Sequence, residues 1–399
     1  MTAPAPQAWE HLPVEAFPSP CFIIDETRLA ANLGILQSVR DRAGTRILLA
    51  LKGFAMFSVF PLLRKTLDGA CASSPHEARL GREEFKGLVH TFAAGYSDSD
   101  IDELLPNSDH LVFNSFGQYR RFRSKTDAFN QGGGNVECGI RINPEHSEGA
   151  VPIYDPCSPG SRLGVRHEAF AREAAGGQLQ GIGGLHFHTL CEQNADAFAR
   201  TLAVVEKKFG SWIRCMRWLN CGGGHLITRP GYDIDLLCGR LNHVRATYGV
   251  QTYIEPGAAV ALNAGILKAA VLDIVEADMP VAVLDTSATA HMPDVLEMPY
   301  RPEALNASGE PAGEAGEKAW TCRLAGKSCL AGDVIGEYSF DMPLRPGDIL
   351  FFLDMAHYSM VKTTTFNGLG LPGIGKIDLN GKPVMVRSFG YEEFRTRLS

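Results

Sequence analysis

Lys52 closes an apolar run, Arg46–Leu51 (RILLAL), and is followed by Gly53. A lysine ending a buried strand points into the mouth of whatever that strand builds. Loss of water there favours the neutral amine, a nucleophile for an aldehyde. A lysine snorkelling from a strand end gives the same pattern. His186 and His188 stand at i and i+2 in GLHFH, so on a strand they share one face. Three arrangements satisfy that pair: two metal ligands, one imidazole stacked on a flat cofactor with the other in its hydrogen-bond shell, or a buried structural pair. Gly222, Gly223 and Gly224 follow another apolar run, where backbone N–H groups can close on a phosphate without Cβ interference. Gly132-Gly133-Gly134 reads only as a linker. Glu255 stands before Pro256-Gly257, either a rigid carboxylate able to keep a pyridine nitrogen protonated or a surface turn.

These residues need strands to carry them, and the chain supplies a rhythm. Thr45–Lys52, Gly69–Ser73, Val89–Ala94, His110–Asn114, Glu137–Asn143, Gly183–Thr189, Trp218–Gly222 and Thr252–Glu255 are short β-type runs separated by stretches of helical length. Strands alternating with helices predict parallel βαβ units, and these eight predict an α/β fold with a (β/α)8 barrel of TIM type. Chemistry in such a barrel sits at the C-terminal ends of the strands, where Lys52, His188, Gly222–Gly224 and Glu255 fall. Ser74-Pro75-His76-Glu77 and Ser115-Phe116-Gly117-Gln118 read as capping boxes opening helices directly after strands.

Beyond residue 262 helical periodicity fades. Val281–Asp285, Ile349–Leu353 and Val384–Phe389 predict a C-terminal β-rich domain, a barrel or sandwich, over 263–399. Cys21–Asp25 (CFIID) predicts a strand in 1–27 that joins it, leaving 28–262 for the barrel. Asn306–Lys318, rich in Gly, Ala and Glu, reads as a mobile surface loop.

Composition narrows the class. Of 399 residues 45% are hydrophobic and 21% charged, ordinary for a globular chain. A net charge of −7 argues against nucleic acid or an anionic membrane as partner and suits a cationic ligand. Ten cysteines without CxxC pairs indicate neither a zinc ribbon nor an iron–sulfur cluster, and read as cytosolic thiols. Met1–Glu10 lacks the basic-then-apolar pattern of an export signal, and no apolar run is long enough to span a bilayer. The expectation is a cytoplasmic protein.

In order along nearly the whole chain, these motifs resemble the fold-type III decarboxylases that use pyridoxal 5′-phosphate (PLP), the alanine racemase/ornithine decarboxylase superfamily. The resemblance implies that Lys52 binds the PLP aldehyde, His188 stacks on its ring, Gly222, Gly223 and Gly224 take its phosphate, and Glu255 faces its pyridine nitrogen. It also implies a homodimer with shared sites, in which Cys329 comes from the partner and Tyr358, with the TTFNG run, lies near the phosphate; Arg141 is assigned to the cofactor as well. HFHTLCEQ (His186–Gln193), SATAHMPDVLEMPYRP (Ser287–Pro302) and KSCLAGDVIGEYSF (Lys327–Phe340) resemble, more narrowly, the carboxynorspermidine/carboxyspermidine decarboxylases of polyamine biosynthesis. That implies loss of CO2 from a small cationic carboxylated polyamine, with Cys329 returning a proton and Asp294, Asp333 and Glu297 meeting the cationic tail. One departure stands out: Ala258 follows Glu255-Pro256-Gly257, where this family usually carries an acid.

Three alternatives stay open on these residues. One is another PLP-dependent decarboxylase of a basic amino acid; another is a barrel metal hydrolase using His186 and His188 with His225 or His291. The third, given Ala258, is a non-catalytic regulator descended from such a decarboxylase.

Overall fold

The computed structural model describes residues 9–149 and 155–399; the stretch read for an export signal lies outside them up to residue 8. The chain forms two compact units, Asn32–Val260 and Met1–Ala31 with Ala261–Ser399. The first strand, β1 (Cys21–Asp25), belongs to the second of these.

Within Asn32–Val260 the predicted strands form where the rhythm places them. They are β2 (Arg46–Ala50), β3 (Gly69–Ala72), β4 (Leu88–Phe92), β5 (His110–Phe113) and β6 (Glu137–Asn143), then a two-residue β7 (Val165–Arg166), then β8 (Ile182–His186), β9 (Trp218–Asn220) and β10 (Gln251–Ile254). All pairings are parallel. The order β5-β4-β3-β2-β10-β9-β8-β6 closes through β5 and β6 into an eight-stranded barrel, with β7 added at β6. The strands are buried on both faces, as parallel strands covered by helices must be. Inside, Gly139 and Gly184 make room for the Trp218 indole, which a Cβ at either position would meet at 2.4 or 2.0 Å.

The serine caps form with one change. Ser74 and Ser115 accept from the N–H of Glu77 and Gln118. The returning side chains, however, take the N–H one residue earlier: Glu77 that of Ser73 at 2.6 Å and Gln118 that of Asn114 at 3.0 Å. Each helix start is thereby tied to the strand end before it. A reciprocal capping box occurs instead at Ser97 and Asp100, opening Asp98–Leu104.

The other unit is mostly antiparallel. Its strands are β11 (Gly265–Val275), β12 (Val281–Leu284), β13 (Ala304–Asn306), β14 (Trp320–Ala325), β15 (Val334–Phe340), β16 (Ile349–Leu353), β17 (Gly373–Ile377) and β18 (Pro383–Arg387). The sheet runs β15-β14-β12-β11-β1-β17-β18, with β16 between β11 and β13. Trp9, Val14, Phe17, Ile23, Ile266, Phe351 and Ile377 share one core. Asn306–Lys318 forms mostly turns at the surface, as expected, with local hydrogen bonds. Asn306 ends β13 and its Oδ1 accepts from Ser308 and Glu310 N–H, while Gly313 bridges to Ser339. The polar residues that suggested mobility are hydrogen-bonded to one another.

Candidate active site

The mouth of the barrel holds a small cleft, open to solvent, lined by Lys52, Cys71, Ser73, His90, Phe92, Arg141, His186, His188 and Glu255, among others. The first is placed by a turn. β2 stops at Ala50, whose carbonyl accepts from Gly53 and Phe54 N–H at 2.9 and 3.1 Å, so Lys52 sits on the turn after the strand. It is exposed, which corrects the desolvated strand-end lysine expected above. Gly53 packs on Gly257, so that a Cβ on Gly53 would lie 3.0 Å from the Gly257 Cα, and Ala50 N–H donates to Pro256 O at 3.0 Å. Two small residues thus let the LKG and EPG turns touch and bring Lys52 and Glu255 to one cavity.

Glu255 is nearly buried, 12% exposed at the side chain. Burial pushes its carboxyl up, but the His186 ring 3.6 Å away, then the His90 ring, then the Asn220 amide outweigh it and hold it down to about 2. The carboxylate is therefore ionised at neutral pH. Burial lowers His186 against the opposing pull of the Glu255 carboxylate. Both His186 nitrogens are buried without a hydrogen-bond partner, an exceptional state for a polar atom. His188, beyond the end of β8, is half-buried, and burial followed by the Lys52 and Arg141 charges pushes it well below its ordinary range. Its Nδ1 accepts from Gly223 N–H at 3.0 Å, and Arg141 holds the same loop by donating to His188 O at 3.1 Å. Arg141 also lies over the Phe92 ring at 4.5 Å; burial lowers it to about 10, so it stays cationic.

The three glycines are also tied into the loops around them. The N–H groups of Gly222 and Gly223 are committed to Asn220 Oδ1 and His188 Nδ1, so they do not all point at a phosphate. The run must be glycine because three loops converge on it. A Cβ on Gly222, Gly223 or Gly224 would lie 2.4, 2.1 and 1.9 Å from the carbonyls of Phe187, Glu255 and Leu190.

In the sheet unit, Cys329 is exposed, and its N–H and thiol both donate to Asn367 Oδ1, at 2.9 and 3.0 Å. Asn367 belongs to the TTFNG run and has φ 59°; Tyr358 has φ 54°. Asp294 and Glu297 do come together, but around Lys362, which pairs with both. Asp333, expected at a substrate tail, is instead 3% exposed. It accepts from the Ser287 hydroxyl and from Thr289 and Ser328 N–H, which commits it to holding its own loops.

Sequence reading passed over His90, Phe92, Cys71 and Asn220. His90 and Phe92 alternate on β4 as His186 and His188 do in their run, so reading every strand's C-terminal end for i, i+2 pairs would have found them. Among the described residues no group of three or more His, Cys, Asp or Glu is placed to hold a metal ion. His225 Nδ1 meets the Tyr232 hydroxyl at 3.1 Å, and His291 Nδ1 meets Thr286. The metal-hydrolase alternative loses its ligand set.

An amine, an imidazole at the cavity wall and an ionised carboxylate that can charge-pair with a ring nitrogen fit PLP. With a parallel barrel and a separate antiparallel sheet, these define the class of PLP-dependent decarboxylases. The family described as pyridoxal-dependent decarboxylase, C-terminal sheet domain, matches residues 21–356. A carboxyaminopropylagmatine decarboxylase of Synechocystis is 45% identical over 96% of both chains. A carboxynorspermidine/carboxyspermidine decarboxylase of Campylobacter jejuni is 41% identical over 96% of this chain and 99% of its own. The crystal structure of a C. jejuni carboxynorspermidine decarboxylase complexed with norspermidine superposes with a TM-score of 0.85 at 39% identity, over 95% of this chain and 99% of that one. The chain belongs to the pyridoxal-dependent decarboxylase family and is a PLP-dependent decarboxylase.

Proposed function

We propose that this enzyme decarboxylates carboxynorspermidine or carboxyspermidine, releasing CO2 and norspermidine or spermidine. The observation that carries this is full-length identity of 41% and 36% to two enzymes named for those substrates. The 45% relative favours a second substrate of the same kind, carboxyaminopropylagmatine, whose tail ends in a guanidinium.

PLP, when bound, supplies the electron sink that takes up the pair left by departing CO2. Lys52 would hold its aldehyde, His188 would lie at its ring, and Glu255 would keep its ring nitrogen charged. Arg141 fixes the His188 loop, and Gly222–Gly224 with Tyr358 are assigned to the phosphate end. Cys329 returns a proton to the substrate carbon that loses CO2. Its Sγ lies 3.0 Å from Asn367 Oδ1, a contact that fixes where the thiol sits. Asp294 and Glu297 take the substrate's ammonium charge in exchange for Lys362.

We place the enzyme as a homodimer with shared sites. The exposure of Cys329 in the single chain supports a role for it across a subunit boundary. A cytoplasmic location is supported by ten free cysteines, and no described helix is long and apolar enough to cross a membrane. Incubating the PLP-loaded protein with carboxyspermidine and carboxynorspermidine, with mass spectrometry of the products, should show the triamine in place of at least one substrate. Both substrates recovered intact would reject the proposal.

A further inference from the structure

A line of polar groups crosses the barrel interior that none of these roles uses. Asn220 is 1% exposed. Its Oδ1 accepts from Gly222 N–H at 2.9 Å, which fixes the amide so that Nδ2 is the donating end. Nδ2 donates to Glu255 Oε1 at 2.6 Å and to His90 Nδ1 at 3.0 Å. One neutral amide thus ties the carboxylate assigned to the ring nitrogen to the glycine run assigned to the phosphate.

The line continues with a fixed direction. A neutral imidazole has one donor and one acceptor nitrogen, so accepting at Nδ1 puts the His90 proton on Nε2. That nitrogen meets His110 Nδ1, which in turn places the His110 proton on Nε2, facing Glu137 Oε2 4.0 Å away. Trp218 Nε1–H donates to the same oxygen at 2.8 Å. His110 and Glu137 open β5 and β6, so the line runs from the mouth to the opposite end of the barrel. A protonated imidazole anywhere on it would turn a donor toward a donor. Burial, then the neighbouring ring, keeps His90 well below its ordinary range, and burial lowers His110 to about 4. An all-apolar filling of this interior would carry no such orientation.

We propose that Asn220 and His90 are positioning residues for the cofactor: with His110 as a fixed-tautomer anchor, they lock Glu255 in the orientation that keeps the ring nitrogen protonated. Besides these, Lys52, Cys71, Arg141 and His186 face Glu255 around the cavity. The proposal rests on Glu255 facing the ring nitrogen, and the experiment separates the two.

The experiment is nitrogen NMR of the holoenzyme carrying 15N-histidine and PLP labelled at its ring nitrogen, from about pH 6 to about pH 9. In the wild type the ring nitrogen should be protonated throughout, with His90 and His110 neutral and protonated on Nε2. Asn220→Leu should bring ring-nitrogen deprotonation into that range and weaken PLP binding about tenfold, lowering kcat more than KM. His90→Phe should do the same more weakly, and His90→Gln, which keeps an acceptor and a donor, should restore the signal. An unprotonated wild-type ring nitrogen would overturn the Glu255 assignment and the relay with it. A protonated one with His90 carrying its proton on Nδ1, or a folded Asn220→Leu indistinguishable from wild type, would overturn the relay alone. If Asn220→Leu does not fold, the wild-type tautomers and the His90 pair decide.

Discussion

At the level of single residues, the site turns on one carboxylate. Glu255 stays ionised beside His186, His90 and the Asn220 amide against the cost of burial. Glu255→Gln keeps its shape and removes the charge. It should lower kcat by about 10² to 10³ while the protein folds and binds PLP, measured by steady-state turnover and by the visible spectrum. A kcat within a few-fold of wild type would mean that the ring nitrogen takes its proton from elsewhere. Lys52 has a direct chemical test: borohydride reduction of the holoenzyme, then peptide mapping, should leave the phosphopyridoxyl mass on the Lys52 peptide. A label on any other lysine ends its assignment. Lys52, His188 and Glu255 were legible in the sequence because each follows an apolar run and a barrel puts such ends in one place. Asn220 and Asn367 were not, because an asparagine acts through what it hydrogen-bonds, and those partners are distant in sequence or belong to the backbone.

At the level of elements, loops meet too closely for a side chain to intervene. Gly223→Ala would drive a Cβ to 2.1 Å from the Glu255 carbonyl, and backbone cannot rotate away as a side chain can. The variant should bind PLP about tenfold or more weakly in a fluorescence titration, from displacement of the Glu255 turn. Unchanged affinity would show that the loops can part. The barrel strands were readable because short β-type runs recur between stretches of helical length, and Ser74 and Ser115 marked two helix starts. β11 was missed for a physical reason. Its first five residues, Gly265 to Ala269, are all buried, with Lys268 among them, so they show neither alternation nor a purely apolar run. That lysine is accommodated by donating to the carbonyls of Val14 and Phe17, at 3.3 and 2.7 Å, partners no local pattern reveals.

For the whole molecule, buried histidines set the response to acid. His110, His225 and His291 are each lowered to about 4 by burial. Their unfolded forms take protons near the ordinary value of 6.5, before the folded forms do. Stability is therefore full above that value and falls as the pH drops from there toward 4, by up to about 1.4 kcal/mol per pH unit for each. The urea midpoint of the apoprotein should fall between about pH 7 and about pH 5; an unchanged midpoint would show that these rings reach solvent. Subunit sharing is tested by mixing inactive Lys52→Ala with inactive Cys329→Ala, which should restore part of the activity in heterodimers holding one intact site. No recovery, with subunit exchange verified, would place both residues in one chain's site. The central claim is that a carboxylated polyamine, rather than a shorter amino acid, is the substrate. It is tested most directly by kcat/KM for CO2 release from carboxyspermidine, carboxynorspermidine and carboxyaminopropylagmatine beside ornithine, lysine and diaminopimelate. One of the three polyamine acids should exceed every shorter amino acid by about 10² or more. Diaminopimelate or ornithine turned over as fast as the best of them would contradict the account.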